Sequence, residues 1–312
     1  MASLKTLQTK TNKLLLMQET RAIRELAQNY AMAADAIRDE LAKLYERYAV
    51  SGKLTHAEMS KYNRLSALEK QLRTEVKPVA LANNRLLDRL AQIQYEESFY
   101  RHAWAIDNTI GVRLRWGLLS PDQVKAAVAN DLRHLAKWRL SEETLIRVRR
   151  AVSQGLIRGQ SMRGMMIGVR EALEASNSDA MRIARTEAHR AREQGHLAVT
   201  QRAEDIGVRL TRVWVASLDD RTRSSHAHMD GAEEKDWRLG GIKPAYPGDP
   251  ALPAEESINC RCTTYDKVEG YEPEVRRTRD AGVEPYQNFE AWAKSRGVDG
   301  SRYGEKYNFT AG

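Results

Sequence analysis

Two closely spaced pairs of side chains carry the clearest potential for chemistry in this sequence. One residue separates His226 from His228, and one residue also separates the only two cysteines, Cys260 and Cys262. A disulfide between such near neighbours would close a very tight ring, whereas two imidazoles and two thiolates form a ligand set that a tetrahedral structural zinc ion accepts. The sequence therefore predicts either a structural zinc site or buried thiols that hydrogen-bond beside a histidine.

These histidines lie in a polar turn that runs from Asp220 to Asp230. Asp220, Arg221, Arg223 and Asp230 can form an acid–base site with His226, in which the imidazole activates water and an arginine holds a phosphate, as a nuclease requires. The structural alternative is that the aspartates accept backbone hydrogen bonds, the arginines pair with them and the Asp-Gly step closes a tight turn. No paired-carboxylate metal site, nucleophile elbow or phosphate-binding loop accompanies the turn, so we expect no catalytic residues.

Two short strands are expected to position these groups. Residues alternate with period two from Val208 to Ala216, and a second strand is expected from Cys260 to Val268. The segment from Gly240 to Pro253 contains four prolines and three glycines, which predicts a loop. Trp237 and Tyr246 are expected to anchor that loop to the body of the protein.

Long helices are expected in the first third of the chain. Ser51-Gly52 should end the first helix, a capping box at Thr55 should start a second, and Pro78 should separate it from a third at 80–106. The first helix shows a heptad seam, which also suggests self-association: Ile23, Ala27, Tyr30, Ala34, Ile37, Leu41, Leu44 and Tyr48.

Shorter helices are expected in the middle of the chain. After an extended link or short strand at 108–117, helix starts are predicted at Ser120, Ser141 and Ser178. Breaks are predicted at Gly155, Gly159 and Gly164. The helix after Ser178 should present a small, close-packing face, and near the carboxyl end Tyr286, Phe289 and Trp292 are spaced as an amphipathic turn.

The charge balance favours polyanionic partners. The formal net charge is +8 and the isoelectric point is near 9.4, so clustered arginines can bind phosphate by displacing counterions. The alternative is that these arginines pair with acidic side chains or are merely solvated. The predicted contacts to double-stranded DNA, weak and independent of sequence, are Arg147, Arg149, Arg150, Arg158, Arg163, Arg182 and Arg185.

No membrane association is expected. The apolar run Leu14–Leu16 ends at Met17 without a following small-residue cleavage site, which argues against a signal peptide. No apolar segment approaches the roughly 20 residues needed to span a bilayer. We therefore expect synthesis in a cytoplasm.

The order and spacing of several short motifs resemble the C-terminal domain of the phage Mu F-type minor head proteins, also called phage head morphogenesis proteins. The resemblance covers roughly residues 140–295 and includes the proline-rich loop. Its other pieces are Ile183-Ala184-Arg185-Thr186-Glu187, Trp214, Asp220-Arg221-Thr222-Arg223, His226, Asp230-Gly231 and Asn259-Cys260-Arg261-Cys262.

This resemblance implies a fold class and a domain order. The expected protein is mainly α, with an elongated N-terminal helical hairpin or bundle followed by a small α+β domain containing a short antiparallel sheet. The expected ranges are 1–110 for the long-helix region, 111–140 for a linker and helical connection, 141–295 for the Mu F-type domain and 296–312 for a loose tail. Structural roles are expected for Arg185, Glu187, Trp214, Asp220, Arg221, Arg223, Asp230, Gly231 and Asn259.

The resemblance also implies a function. The expected role is that of a minor head protein inside the phage head, near the portal and in contact with portal, capsid or scaffold proteins and with packaged DNA. In some relatives the domain precedes a toxin or transferase domain, and only 50 residues follow Cys262 here, so we expect no enzyme. The alternatives are an enzyme, such as a metal-dependent nuclease, built on Asp220, Arg221 and His226, and a free sequence-independent DNA-binding protein.

Overall fold

The computed structural model describes residues 3–217, 219–269 and 293–298. Long helices dominate the described chain, and the strands pair as one antiparallel ladder, so the predicted fold class is confirmed in these respects. In order, the elements are α1 (Leu4–Tyr48), α2 (His56–Ser60), a 3-10 turn (Lys61–Asn63), α3 (Arg64–Ile110), α4 (Pro121–Val128), α5 (Asp131–Ile157), α6 (Met162–Asp205), β1 (Leu210–Val215), α7 (Ser224–Ala227), a second 3-10 turn (Glu234–Asp236), α8 (Ala254–Ser257) and β2 (Thr263–Val268). Within the described residues, no helix has both the length and the hydropathy to cross a bilayer.

The chain divides into two compact units built from discontinuous segments. The helical unit comprises Arg21–Asp88 and Asn130–Ala184, and the sheet unit comprises Met1–Thr20, Arg89–Ala129 and Arg185–Gly312. Helices α1, α3 and α6 each contribute to both units. The ranges 1–110, 111–140, 141–295 and 296–312 stay a prediction of domain boundaries.

In the helical unit, the buried stripe of α1 is offset from the predicted seam. Tyr30, Ile37 and Leu41 are buried as expected, but Ile23 and Ala27 are only half-buried. The centre of the stripe runs instead through Ala22, Leu26, Tyr30, Ala33, Ile37, Leu41 and Tyr45. Neighbouring apolar residues at several turns of the helix make the two registers equally apolar, so the pattern could not separate them.

The second helix begins as predicted but follows a different course. Thr55 accepts a hydrogen bond from the Glu58 N–H (3.3 Å) and caps α2. The helix then breaks at Tyr62 and Asn63, whose φ angles of 53° and 58° lie in the left-handed region. The predicted break at Pro78 is wrong, because α3 continues through it. A proline costs a helix about 3 kcal/mol, and burial of Leu72, Val76, Leu86 and Leu87 on either side of it offsets that cost.

The next helices are fewer and longer than predicted. The start at Ser120 is confirmed, with a capping box to Gln123, and the chain breaks at Gly159, whose φ is +56°. The predicted breaks at Gly155 and Gly164 are wrong, because these residues lie inside α5 and α6. The starts at Ser141 and Ser178 are wrong, because both residues lie inside α5 or α6. The Ser141 hydroxyl donates instead to the Lys137 carbonyl (3.1 Å), a bond that lets serine sit within a helix. Asn130 caps α5 in place of the predicted serine.

The sheet unit is built around the carboxyl half of α6. Strands β1 and β2 pair in register, with Trp214 opposite Thr264, and β2 begins at Thr263, three residues after the predicted start. On α6, every residue from 186 to 193 is buried. The small face is largely as predicted: Ala184, Ala188, Ala191 and Gly195 are buried, whereas Ile183 is half-buried.

Polar side chains cross the interior of this unit. His196 lies 2.8 Å from Asp266 on β2, and the Thr264 hydroxyl donates to Glu193 (3.0 Å). Gln8 on α1 donates to Asp266 (2.8 Å) and accepts from the Asp266 N–H (2.9 Å). These bonds tie β2 and the start of α1 to α6.

The remaining elements complete this unit. The extended link after α3 is confirmed, with no strand assigned between residues 111 and 120, and it is held by Asp107, which accepts from the Leu114 N–H and the Trp116 indole (both 3.0 Å). Arg296 pairs with the other Asp107 oxygen (2.8 Å). The predicted amphipathic turn at Tyr286, Phe289 and Trp292 lies outside the described residues, as does most of the predicted tail.

Two glycines of α6 provide a matched test of this packing. A Cβ at Gly195 would lie 2.3 Å from the Tyr95 carbonyl oxygen, whereas one at Gly168 would meet only the Ala151 methyl at 3.6 Å. We expect Gly195→Ala to destabilise the protein by about 1–3 kcal/mol, because α3 backbone must move. Gly168→Ala should stabilise it by about 0.5–1 kcal/mol through helix propensity. Thermal melting checks both, and equal effects of the two substitutions would contradict the close approach.

Candidate functional site

The strand β1 leads directly into the polar turn that contains the predicted site. The turn is closed by Asp230, which accepts a hydrogen bond from the Ala216 N–H (2.9 Å). Gly231, with φ of +78°, donates its N–H to the Trp214 carbonyl (2.9 Å), and the backbone N–H of Trp214 donates to the Ala232 carbonyl (2.9 Å). Asp230 and Gly231 therefore act on the backbone, as the structural alternative for this turn anticipated.

An aromatic cluster lies beneath the turn. Trp214 and Trp237 are fully buried, with ring centroids 5.3 Å apart in an edge-on arrangement. The His226 ring meets Trp214 edge-on at 5.7 Å. Cys260 and Cys262 belong to the same buried cluster, so the loop anchor predicted for Trp237 also forms one wall around the thiols.

The structure brings three of the four predicted metal ligands together. His226 lies on α7, with Nδ1 3.3 Å from the Cys262 sulfur and 3.6 Å from the Cys260 sulfur. The potential ligand atoms of these three buried residues all lie within 4.8 Å of one another. His228 does not join them, because it is exposed and its Nδ1 donates to the Ser224 carbonyl (2.7 Å).

A glutamate that the sequence analysis did not identify completes the environment of His226. Nε2 of His226 lies 2.9 Å from a carboxylate oxygen of Glu256, and the Ser225 hydroxyl donates to the same carboxylate (3.0 Å). Since the carboxylate accepts the Nε2–H, the Nδ1 lone pair faces the thiols. Glu256 lies 30 residues from His226 in a loop-rich segment, and no motif spacing points to the pair.

The two thiols have unequal acidities. The hydrogen bond from Cys260 lowers the pKa of Cys262 to about 5, although burial opposes this. The hydrogen bond to Cys262, together with burial, raises the pKa of Cys260 well above its usual range. The pair therefore offers one sulfur that ionises readily, and a thiolate is the form that binds metals.

The backbone that carries the thiols is held by α6 and by the turn. Asn259 adopts a left-handed φ of 56°, and its N–H donates to the Thr186 hydroxyl (3.2 Å). Arg223 donates to the Ile258 carbonyl (2.7 Å). Arg223 and Asn259, both in the predicted structural set, thus fix the chain just before Cys260.

A buried ion pair on α6 holds the proline-rich loop. Glu187 pairs with Arg190 at 2.6 Å, and both side chains are about 7% exposed. Arg190 also donates to the Gly248 carbonyl (3.1 Å) and to the Ser257 hydroxyl (3.3 Å). Glu187 belongs to the predicted structural set and Arg190 does not, although their three-residue spacing on a helix was a signal for the pair.

At the exposed end of the turn, the aspartate that forms an ion pair is Asp219 and not the predicted Asp220. Asp219 pairs with Arg261, and hydrogen bonding from that guanidinium holds the pKa of Asp219 well below its ordinary value. Asp220 and Arg221 are exposed, and His226 is buried with both ring nitrogens engaged. The structure does not bring these three groups together as a nuclease site.

The predicted DNA-contact arginines fall into two classes. Arg147 and Arg182 both pair with Asp179 (2.8 Å each), and Arg149 pairs with Glu69 (2.7 Å). The others are exposed and have no ion pair within 4 Å to a described residue: Arg150, Arg158, Arg163 and Arg185.

Comparisons with known proteins match the segment of the chain that contains the candidate site. The family described as "Phage Mu protein F like protein" matches residues 147–265. The minor head protein GP7 of Bacillus phage SPP1 is 29% identical over an alignment of 294 positions, which covers 89% of this chain and 93% of that protein. An Enterococcus faecalis protein named NAD(+)–arginine ADP-ribosyltransferase EFV is 27% identical over 225 residues, which are 70% of this chain and 46% of that protein. No solved structure matches the chain.

The matched segment runs from α5 to β2. It contains Glu187, Trp214, His226 and both cysteines, together with the turn and loop that enclose them. The predicted resemblance is therefore confirmed: this segment matches the family of Phage Mu protein F-like proteins.

Proposed function

We propose that this chain is a phage minor head protein that acts in head morphogenesis. The observation that carries the proposal is the match to the SPP1 minor head protein GP7, which covers 89% of this chain and 93% of that protein. A match of this extent takes in both compact units and reaches well beyond the 147–265 segment. Other capsid proteins are then its partners, and the phage head is its location.

A structural role fits the site better than an enzymatic one. The segment shared with the transferase amounts to 46% of that protein, so the activity in its name does not follow from the match. In this chain His226 is 1% exposed and engaged by two sulfurs and a carboxylate. A general base must reach a substrate proton directly or through one water, and the bonds of His226 point to holding the domain together instead.

We also propose more specific partners, namely packaged DNA, a second copy of this chain and the portal. Contact with packaged DNA is supported by Arg150, Arg158 and Arg163 in the helical unit, because these side chains are exposed and unpaired among the described residues. Self-association through α1 belongs to the same proposal and rests on the heptad seam of that helix. Association with the portal belongs to the same proposal and rests on the role in the head.

The head assignment predicts where the protein is found. Mass spectrometry of purified procapsids and virions from the phage that encodes it should detect the chain in few copies per particle. Its presence in procapsids but not in virions would identify an assembly factor and still support the role in morphogenesis. Absence from both particles would contradict the proposal.

The two classes of arginine predict a difference in DNA binding. Replacing Arg150, Arg158 and Arg163 together with glutamine should weaken binding to unrelated duplexes alike. It should also reduce the slope of log affinity against log salt by about one per lost phosphate contact. Fluorescence anisotropy at several salt concentrations measures both effects.

A matched control uses the paired arginines. Arg147→Gln with Arg182→Gln removes two positive charges that already pair with Asp179 and Glu143, so DNA affinity should change little. A control as impaired as the triple variant, or binding that is insensitive to salt, would contradict the assignment of DNA contacts.

A further inference from the structure

We propose that His226, Cys260 and Cys262 bind one zinc ion through Nδ1 and the two sulfurs, with Glu256 positioning the imidazole. The site lies within the sheet unit, at the meeting point of α7, the proline-rich loop and the segment before β2. It is independent of the proposed role in the phage head, and its test requires only the purified protein.

The first argument is the spacing of the ligand atoms. Tetrahedral zinc with ordinary Zn–N and Zn–S bonds places a nitrogen and a sulfur ligand about 3.6 Å apart. Nδ1 of His226 lies 3.3 Å from the Cys262 sulfur and 3.6 Å from the Cys260 sulfur. Both nitrogen–sulfur separations therefore already match those that coordination requires, and the three ligand atoms all lie within 4.8 Å of one another.

The second argument is the bond on the far side of the ring. Metal-binding histidines characteristically donate their other N–H to a carboxylate, a carbonyl or water, which fixes the tautomer and ring orientation. The Glu256 carboxylate occupies that position at 2.9 Å from Nε2, and Ser225 holds the carboxylate in turn.

The chemistry of the donor set indicates the kind of metal. Thiolates favour soft or borderline cations, and imidazole combined with thiolate suits zinc. Oxygen-preferring cations such as Mg²⁺ and Ca²⁺ need several carboxylate or carbonyl ligands, which these three side chains do not provide. Three protein ligands leave the fourth tetrahedral position to a water molecule.

Two other histidines are excluded by their bonds. The Nδ1 of His228 donates to the Ser224 carbonyl and its side chain is exposed. His189 is buried near Gly248, but its Nδ1 lies 3.0 Å from the Arg192 guanidinium. A guanidinium can only donate, so Nδ1 accepts and the proton of the neutral ring resides on Nε2. That nitrogen then has no lone pair for a metal.

The decisive experiment is zinc titration of the reduced, metal-stripped full-length protein in competition with a chromophoric chelator. We expect about one zinc per chain. Replacing zinc with Co²⁺ should give a thiolate-to-cobalt charge-transfer band and the intense d–d bands of a tetrahedral ion. A protein that binds no zinc, or a cobalt spectrum without the charge-transfer band, would overturn the proposal.

Variants separate the ligands from their neighbours. Cys260→Ser, Cys262→Ser and His226→Ala should each abolish the stoichiometric site, whereas Glu256→Gln should weaken zinc affinity about 10–100-fold. His228→Ala removes an imidazole from the same short segment and should leave the affinity unchanged. If His228→Ala weakens binding as much as Glu256→Gln does, the assigned ligand set is wrong.

The Glu256→Gln variant keeps the test informative if a ligand variant does not fold. It alters no proposed ligand. The unsubstituted protein can also be compared with and without chelator by its tryptophan fluorescence, to which Trp214, whose ring contacts His226, contributes. A tryptophan spectrum and zinc affinity unaffected by Glu256→Gln would overturn the positioning role of Glu256.

Discussion

The stability of the sheet unit depends on hydrogen-bond and ion-pair partners for the polar side chains that α6 carries into its interior. Arg190, Arg192, Glu193 and His196 are each no more than 6% exposed, although they are charged or titratable. Removing one partner of a buried ion pair costs roughly 3–5 kcal/mol, because the remaining charge is left without compensation. The elements packed around α6 must therefore present the right partners at the right places, which restricts how the chain can be arranged.

That requirement explains how distant segments reach the candidate site. Arg190 bonds to the loop at Gly248 and to Ser257, and Thr186 bonds to the backbone of Asn259. These contacts fix both ends of the segment that delivers the cysteines to His226. The same helix thus sets the position of β2 through Asp266 and the position of the thiols, so the ligand geometry follows from the packing of α6.

Helix caps and turns could be predicted from the sequence where they depend on hydrogen bonds between residues close together in the chain. Capping by Thr55 and Ser120 and the closing of the turn at Asp230 follow from side chains that bond to nearby backbone. Strand β1 follows from the alternation of residues along it. Proline and serine signals failed at Pro78 and Ser141, because tertiary burial and an internal hydroxyl bond made a continuous helix tolerable.

Long-range partners could not be predicted in the same way. Gln8 and Asp266 are 258 residues apart, and their pairing depends on the packing of α1 against β2. Glu256 is likewise recognisable as a partner of His226 only once the loop is folded. The His226–cysteine cluster was partly predictable because residue type alone pointed to it, whereas the exclusion of His228 required its hydrogen bond to Ser224.

Hydrogen exchange of the backbone amides tests most directly whether α6 is the element on which the sheet unit depends. Amides in segment 186–200 should exchange only through the largest unfolding of the unit, because their side chains are enclosed and mutually bonded. Amides of α4, where Val124 and Val128 are the buried residues, should exchange much earlier. Exchange in 186–200 as fast as in α4 would contradict the account.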